Sequence, residues 1–335
     1  MELKSFLVAA TIAASGVAIA AEPAAGEVSA EKPRVRIVAT TFPICDWTRE
    51  VLGEKLAETD LVLLQQSGVD LHSYSPSAAD LRSVAACDLF VFVGGESDEW
   101  TERALAQKGN PRRRVLNLVK TLGSAAKEEK VVEGMEHEHH HDHDEDHDHD
   151  EDHAHDEHEI DEHVWLSLRH AATLVRAIAA ELAAVDPANA ATYRANADAY
   201  CGRLDALDRK YEAAVKDARR KAILVADRFP FRYLADDYGL TYYAAFAGCS
   251  AESEASFKTV AFLAKKVDEL GLPVILVIEG VQHKIAETVR RTTKSRDQRI
   301  LALDSLQSTG GAAAKATSYL DVMARNLEVL KAALR

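Results

Sequence analysis

From Glu136 to Glu162 the chain reads EHEHHHDHDEDHDHDEDHAHDEHEIDE, and every residue except Ala154 and Ile160 is His, Asp or Glu. The run holds ten of the chain's 14 histidines and 15 acidic residues, with no Lys or Arg. Neutral imidazoles interleaved with carboxylates are good ligands for borderline divalent ions, zinc above all. A stretch with so little apolar surface has nothing to bury and stays solvated. Removing its 15 carboxylates from the formal net charge of −14 leaves +1, so the acidity belongs to this segment and not to the fold. A plain acidic spacer would not call for ten histidines. A purification tag would not be internal, irregular and mixed with Asp and Glu. The negative charge disfavours a nucleic-acid partner.

Other chemistry-bearing residues sit where strands run into loops. TTFPICD (Thr40 to Asp46) follows a first apolar run, and GVDLHSYSPSAADL (Gly68 to Leu81) follows a second and places His72 ahead of a helix. DEHVWLSLRHA (Asp161 to Ala171) follows the His-rich run and sets His163 beside Trp165, with His170 on the next helix. Further on, DRFPFRYLADDYGL (Asp227 to Leu240) and ALDSLQ (Ala302 to Gln307) offer Asp227 and Asp304. Loops at the carboxyl ends of parallel strands are where open α/β sheets bind ligands.

The elements that position these loops fall into two similar halves. Val35 to Thr40, Leu61 to Leu64, Leu89 to Val93 and Val115 to Leu118 are short apolar runs that fit strands buried on both faces. Helical stretches separate them, roughly Asp46 to Ala57, Ser77 to Ala86 and Ser97 to Gln107. Ala222 to Ala226, Thr241 to Ala245, Val274 to Ile278 and Ile300 to Leu303 repeat the pattern in the second half. Their helices run roughly from Tyr233 to Tyr238, Glu254 to Leu270, Lys284 to Thr293 and Lys315 to Leu334. The alternation predicts an α/β fold of two lobes, each a parallel sheet flanked by helices. Between the lobes, Ala188 to Ala218 holds one Gly and no Pro, with Tyr193, Ala197, Tyr200, Leu204, Leu207 and Tyr211 at helical spacing. A single helix of that length is a stiff strut of ~45 Å; the alternative is two helices broken at Gly202.

Taken in order, these strings resemble the solute-binding proteins of bacterial zinc and manganese ABC transporters, the zinc-uptake type in particular. The resemblance runs from about Val35 to Leu334. It rests on TFPI-x-D, G-x-D-x-H-x-Y-x-P-S, the acidic His-rich insertion, E-H-x-W-L, F-x-Y-L-A-x-x-Y-G-L and the closing Y-x-x-x-M-x-x-N-L-x-x-L from Tyr319 to Leu330. It implies two lobes joined by one long rigid helix, with metal in the cleft between them. His72 and His163 match the two first-lobe histidine ligands, and Asp304 matches a second-lobe carboxylate ligand found in some members. The resemblance implies a monomer that carries zinc, with manganese as the alternative ion, to an inner-membrane ABC permease.

One position departs from the pattern. Where members place His or Glu three residues before the Phe of F-x-Y, this chain has Arg228 ahead of Phe231. A guanidinium has no free lone pair and cannot ligate zinc. Asp227, Glu279, Cys249 and His283 remain as candidates for the third ligand, and His72, His163, Asp304 and a water would also make an adequate zinc set. Competing functions are a manganese- or iron-type binding protein, a periplasmic zinc buffer that serves no permease, and a secreted zinc hydrolase. The last lacks H-E-x-x-H, G-x-S-x-G or a positioned base, so no enzymatic activity is expected.

The 335 residues leave room for two ordinary domains. Lys4, the apolar stretch from Phe6 to Ile19 and the A-x-A site at Ala18 to Ala20 read as a secretory signal. No cysteine lies near that site, so a periplasmic protein without a lipid anchor is expected. The expected organisation is a signal peptide at 1–20, a linker at 21–33 and a first lobe at 34–186 that carries the loop 136–162. A connecting helix at 187–218 and a second lobe at 219–335 follow. Cys45, Cys87, Cys201 and Cys249 could form disulfides in an exported chain, in any of three pairings, or stand as single thiols.

Overall fold

Residues 1, 34–66, 68–136, 159–250, 254–280 and 283–335 are described by a computed structural model. The expected signal peptide and linker, apart from Met1, and most of the His/Asp/Glu run, 137–158, lie outside the described residues. The account below concerns the unit Arg34–Arg335.

The first lobe runs β1 (Val35–Ala39), α1 (Phe42–Leu52), β2 (Thr59–Leu63), α2 (Ala78–Ala86), β3 (Leu89–Phe92), α3 (Trp100–Ala106), β4 (Arg114–Asn117) and α4 (Leu118–Leu122). Helices α5 (Leu168–Val185) and α6 (Ala190–Lys216) follow. The second lobe runs β5 (Ala222–Phe229), α7 (Arg232–Asp237), β6 (Thr241–Ala247), α8 (Phe257–Leu270), β7 (Val274–Ile278), α9 (Lys284–Thr292), β8 (Arg299–Leu303), α10 (Gly311–Ala316) and α11 (Tyr319–Ala333). Each lobe holds a four-stranded sheet with every neighbouring pair parallel, in the orders β2-β1-β3-β4 and β6-β5-β7-β8. The two orders are the same topology used twice. In each, the strand order reverses beside the first strand, and that reversal opens a crevice at the carboxyl ends.

Period-two alternation explains the layers. Ile37 and Ala39 of β1 face one apolar cluster while Val38 faces another, and Ile223 and Val225 of β5 likewise turn away from Leu224 and Ala226. The inward faces of both sheets join one continuous core, which also takes in the buried stripe of α6. The outward faces are covered separately, by α8 and α9 in the second lobe and by α2 and α3 in the first. Trp47 and Trp165 lie in the shared core, and Trp100 lies in the first-lobe outer layer.

Helix α6 is one uninterrupted helix of 27 residues that passes through Gly202 without a break. At 1.5 Å per residue it extends ~40 Å. Its buried side chains are Tyr193, Ala197, Tyr200, Cys201, Leu204, Leu207, Tyr211 and Val215, a single stripe at helical spacing. Asn196 Nδ2 donates to Val51 O of α1 at 2.9 Å, and Tyr211 OH donates to Met323 O of α11 at 2.6 Å. The strut is thereby tied to both lobes. Asp46, the last residue of the TFPI-x-D string, adds a second tie. Its buried carboxylate pairs with Arg49 and accepts from Tyr319 N, the first residue of α11, at 2.8 Å.

Some boundaries differ from expectation. The helix expected from Ser97 splits into a 3-10 turn at Glu96–Asp98 and α3, because Asp98 turns back to accept from Val93 N and Gly94 N at 2.9 and 3.0 Å. Strand β5 extends to Phe229, and its register with β6 shifts between Val225 and Arg228. Such a bulge re-aims the side chains that follow it. No helix among the described residues is long and apolar enough to cross a membrane. All four cysteines carry free thiols, so none of the three pairings is formed.

Candidate metal centre

His72 sits in a 3-10 turn, Leu71–Ser73, on the loop after β2. Asp70 caps that turn by accepting from His72 N at 3.0 Å. The imidazole is then fixed by Ser97, whose Oγ lies 2.8 Å from Nδ1. Ser97 is held in turn by its N–H donating to Glu162 Oε1 at 2.7 Å. Gly95 makes this packing possible. It has φ +91, and a Cβ there would lie 2.5 Å from Glu162 Oε1.

His163 follows directly from Glu162 and is fully buried. Asp161 Oδ1 accepts from His163 N at 2.9 Å and lies 2.8 Å from Nδ1. A carboxylate on Nδ1 fixes the ring and leaves Nε2 for a metal, the arrangement that orients metal-binding histidines generally. The peptide of Asp161 is held by Tyr233 OH, which donates to its carbonyl at 2.8 Å. The next turn is locked across the lobes: Trp165 Nε1 donates to Ser305 O at 2.9 Å, and Tyr319 OH donates to Trp165 O at 2.6 Å.

With both rings held at Nδ1, the two Nε2 atoms converge to 3.3 Å. Two zinc–nitrogen bonds of 2.0–2.1 Å at a tetrahedral angle require their nitrogens about 3.3 Å apart. The pair therefore stands at zinc spacing. Among the described residues, the ligand atoms of His72, His163 and Cys249 form one group, all within 4.8 Å of one another. Gln307 Oε1 also reaches His163 Nε2, at 2.9 Å.

The expected second-lobe ligand does not enter this group. Asp304 turns its carboxylate onto its own loop, where Oδ1 accepts from Leu306 N at 2.9 Å. Its loop instead delivers Gln307 to the site. Burial, and then the charge of Glu279, push the Asp304 carboxyl up to about 6. Of the four further candidates, only Cys249 is in the group. Glu279 is spent on Ser305, accepting from its N and Oγ at 2.7 Å each. Asp227 accepts from Arg228 N, and His283 lines the neighbouring cavity. Glu254 precedes α8 rather than opening it, since Ser256 is the N-cap.

Arg228 donates through a guanidinium N–H to Asp70 Oδ2 at 2.7 Å. This ion pair spans the cleft from the second lobe to the turn that carries His72. Beside it a cavity of about 650 Å³ opens, lined by Asp70, His72, Asp227, Arg228, His283 and Lys284 among others. His72 thus lines this cavity, while His163 does not.

The electrostatics differ between the two histidines. Burial, then the neighbouring His163, lower His72 to about 4, so it presents a neutral ring. Burial alone would lower His163 too, but the hydrogen bond and charge of Asp161, with Gln307 and Glu162, outweigh it and the net shift is upward. Burial pushes Glu162 up to about 7 against the pull of its Ser97 hydrogen bonds. The site can offer two oriented nitrogen donors and one sulfur to a borderline divalent ion.

Comparison with known proteins agrees with this architecture. The model of the ZnuA family, described as zinc-uptake complex component A periplasmic, matches residues 37–333. The high-affinity zinc uptake system protein ZnuA of Bacillus subtilis is 30% identical over 309 residues, spanning 92% of this chain and 90% of that protein. Zinc-binding protein AdcA of Streptococcus pyogenes is 30% identical over 300 residues, which are 89% of this chain but 56% of AdcA. The chain therefore spans little more than half the length of that relative. The Zn(II)-bound ZnuA-like domain of Streptococcus pneumoniae AdcA superposes with a TM-score of 0.68 at 26% identity, covering 90% of this chain and 99% of that domain. The periplasmic zinc-binding protein TroA of Treponema pallidum shares the fold, with a TM-score of 0.69 at 21% identity over 90% of this chain and 99% of TroA. The family match runs through both lobes and the strut, and the chain belongs to the ZnuA family of periplasmic zinc-uptake components, which are transport proteins rather than enzymes.

Proposed function

We propose that this chain captures zinc in the cleft between its lobes, with His72 and His163 as ligands, and delivers it to an inner-membrane ABC permease. The convergence of the two Nε2 atoms to 3.3 Å carries this reading. That spacing suits zinc, and paired imidazoles favour zinc over manganese. The printed names of the relatives, zinc uptake and zinc binding, agree with it. The protein works as a periplasmic monomer, exported by its N-terminal signal. The His/Asp/Glu run binds further ions more weakly than the cleft, since a segment of that composition has little to bury and loses ordering entropy at each coordination event.

The test is zinc accumulation by chelator-starved cells that hold the cognate permease, with and without this chain. Uptake that requires the chain and is lost in the His72→Ala/His163→Ala double variant is the expected result. Uptake independent of the chain, with zinc still bound, would make it a periplasmic buffer instead.

A further inference from the structure

We propose that Cys249 is the third protein ligand, so that the second lobe closes the zinc site with a thiolate. This rests on the reading of the cleft as a zinc site and adds the donor that the second lobe contributes. Position 228, where the family resemblance implies His or Glu, holds a guanidinium engaged with Asp70 at 2.7 Å. It cannot donate a lone pair. Asp304 and Glu279 are occupied by Leu306 N and Ser305. Among the described second-lobe candidates, Cys249 alone brings its ligand atom within 4.8 Å of a ring nitrogen of both histidines.

The loop after β6 is built for that approach. Gly248 lies against the His163 ring, where a Cβ would meet Cε1 at 3.2 Å and Phe229 O at 3.0 Å. Any side chain there would press the loop off the ring. The next residue is anchored by Cys249 N donating to Glu129 Oε1 at 2.8 Å. Tetrahedral zinc with bonds of about 2.3 Å to sulfur and 2.0–2.1 Å to nitrogen needs sulfur about 3.6 Å from each nitrogen. Closing from a spread of at most 4.8 Å is therefore a movement of about 1.2 Å or less.

The binding step is a ligand exchange with no redox change. The Cys249 S–H bond breaks, its proton leaves to solvent, and the sulfur electron pair forms the bond to zinc. Two neutral imidazoles and one thiolate leave a fourth position for water. A thiolate also discriminates: it favours zinc and disfavours the hard, oxygen-seeking manganese and magnesium ions. The chain thus replaces a family nitrogen or oxygen donor with sulfur, and releases position 228 to hold the cleft by an ion pair.

Cobalt(II) substitution tests this on the full chain, because the His-rich run contains no cysteine and cannot give a thiolate signal. The cobalt-loaded chain should show a near-ultraviolet thiolate-to-cobalt charge-transfer band. Cys249→Ser should lose the band and weaken tight zinc binding by at least about tenfold, since even partners outside the ligand shell are worth that much. Zinc should also slow alkylation of Cys249 in the unaltered chain while leaving the rate at Cys45 unchanged, a readout that does not depend on how the variant folds. No band, no protection and tight zinc binding unchanged in Cys249→Ser but lost in His72→Ala/His163→Ala would overturn the thiolate and leave the zinc reading standing. No tight binding in the unaltered chain would overturn both.

Discussion

Asp161 Oδ1 lies 2.8 Å from His163 Nδ1 and also accepts the backbone N–H of the same residue at 2.9 Å. One carboxylate thus sets both the backbone and the ring of a histidine that has no solvent exposure. Asp161→Ala should weaken tight zinc binding by about 10–100-fold, the range for loss of such a partner. Asp161→Asn, which keeps an acceptor but not the charge, should recover part of it. A competition titration against a chromophoric chelator measures both, and unchanged affinity in Asp161→Ala would show that His163 is oriented by its packing alone.

Asp304 is predicted to be dispensable for zinc. Its Oδ1 is committed to Leu306 N, and Asp304→Asn retains an acceptor there. The variant should bind zinc with unchanged affinity in the same titration. A marked loss would mean that the loop turns over on metal binding and brings the carboxylate into the site.

Asp98 gives the fold a pH-dependent term outside the metal site. Its buried carboxyl is pushed up to about 6, by burial first and against backbone hydrogen bonds from Gly94 and Val93. The unfolded chain titrates this group near its ordinary value of about 3.9. Between those values the folded state holds the proton more tightly, so stability from this group is present at low pH and lost as pH rises to about 6. The span is on the order of 3 kcal/mol. Denaturant unfolding of the native chain relative to Asp98→Asn should show the native chain losing ground from pH 4 to pH 7. A constant difference between the two would contradict the assignment.

Gly202 lies in the interior of α6 with helical neighbours on both sides, and a Cβ there would meet nothing within 4 Å. Gly202→Ala should therefore stabilise the protein by about 0.5–1 kcal/mol without changing zinc affinity. If α6 is a stiff strut, zinc also moves the lobes little. Small-angle scattering of zinc-free and zinc-loaded protein should then give nearly equal radii of gyration. A clear compaction would point to bending of the strut.

The alternation of apolar runs and helices was enough to place both sheets and the strut, because buried parallel strands and an amphipathic helix write their periods into the sequence. His72 and His163 stood out for a different reason: each lies inside a string with family context, and the fold brings their rings together. Cys249 was visible only as one of four candidates. Its place depends on the register shift in β5 and on Gly248 resting against His163, and neither leaves a periodic trace. Asp304 is a loop carboxylate at a strand end, and such a residue looks the same in sequence whether it faces a cleft or caps Leu306. Gln307, three residues on, reaches His163 Nε2 and carried no sequence signal, since an amide next to an Asp is unremarkable. The split before α3 was hidden because Asp98 reads as an ordinary first-turn acid until its bonds to Val93 and Gly94 are seen.

The most direct test is a stoichiometric zinc titration of the chain with 139–156 replaced by a short Gly/Ser linker, which keeps Glu136, Asp161 and His163. The account predicts one tight equivalent, and none once His72 and His163 are both changed to Ala in that background while the unfolding transition of the zinc-free protein is preserved. A tight equivalent that survives the double substitution, or that vanishes with the His-rich run alone, would contradict the cleft as the zinc site.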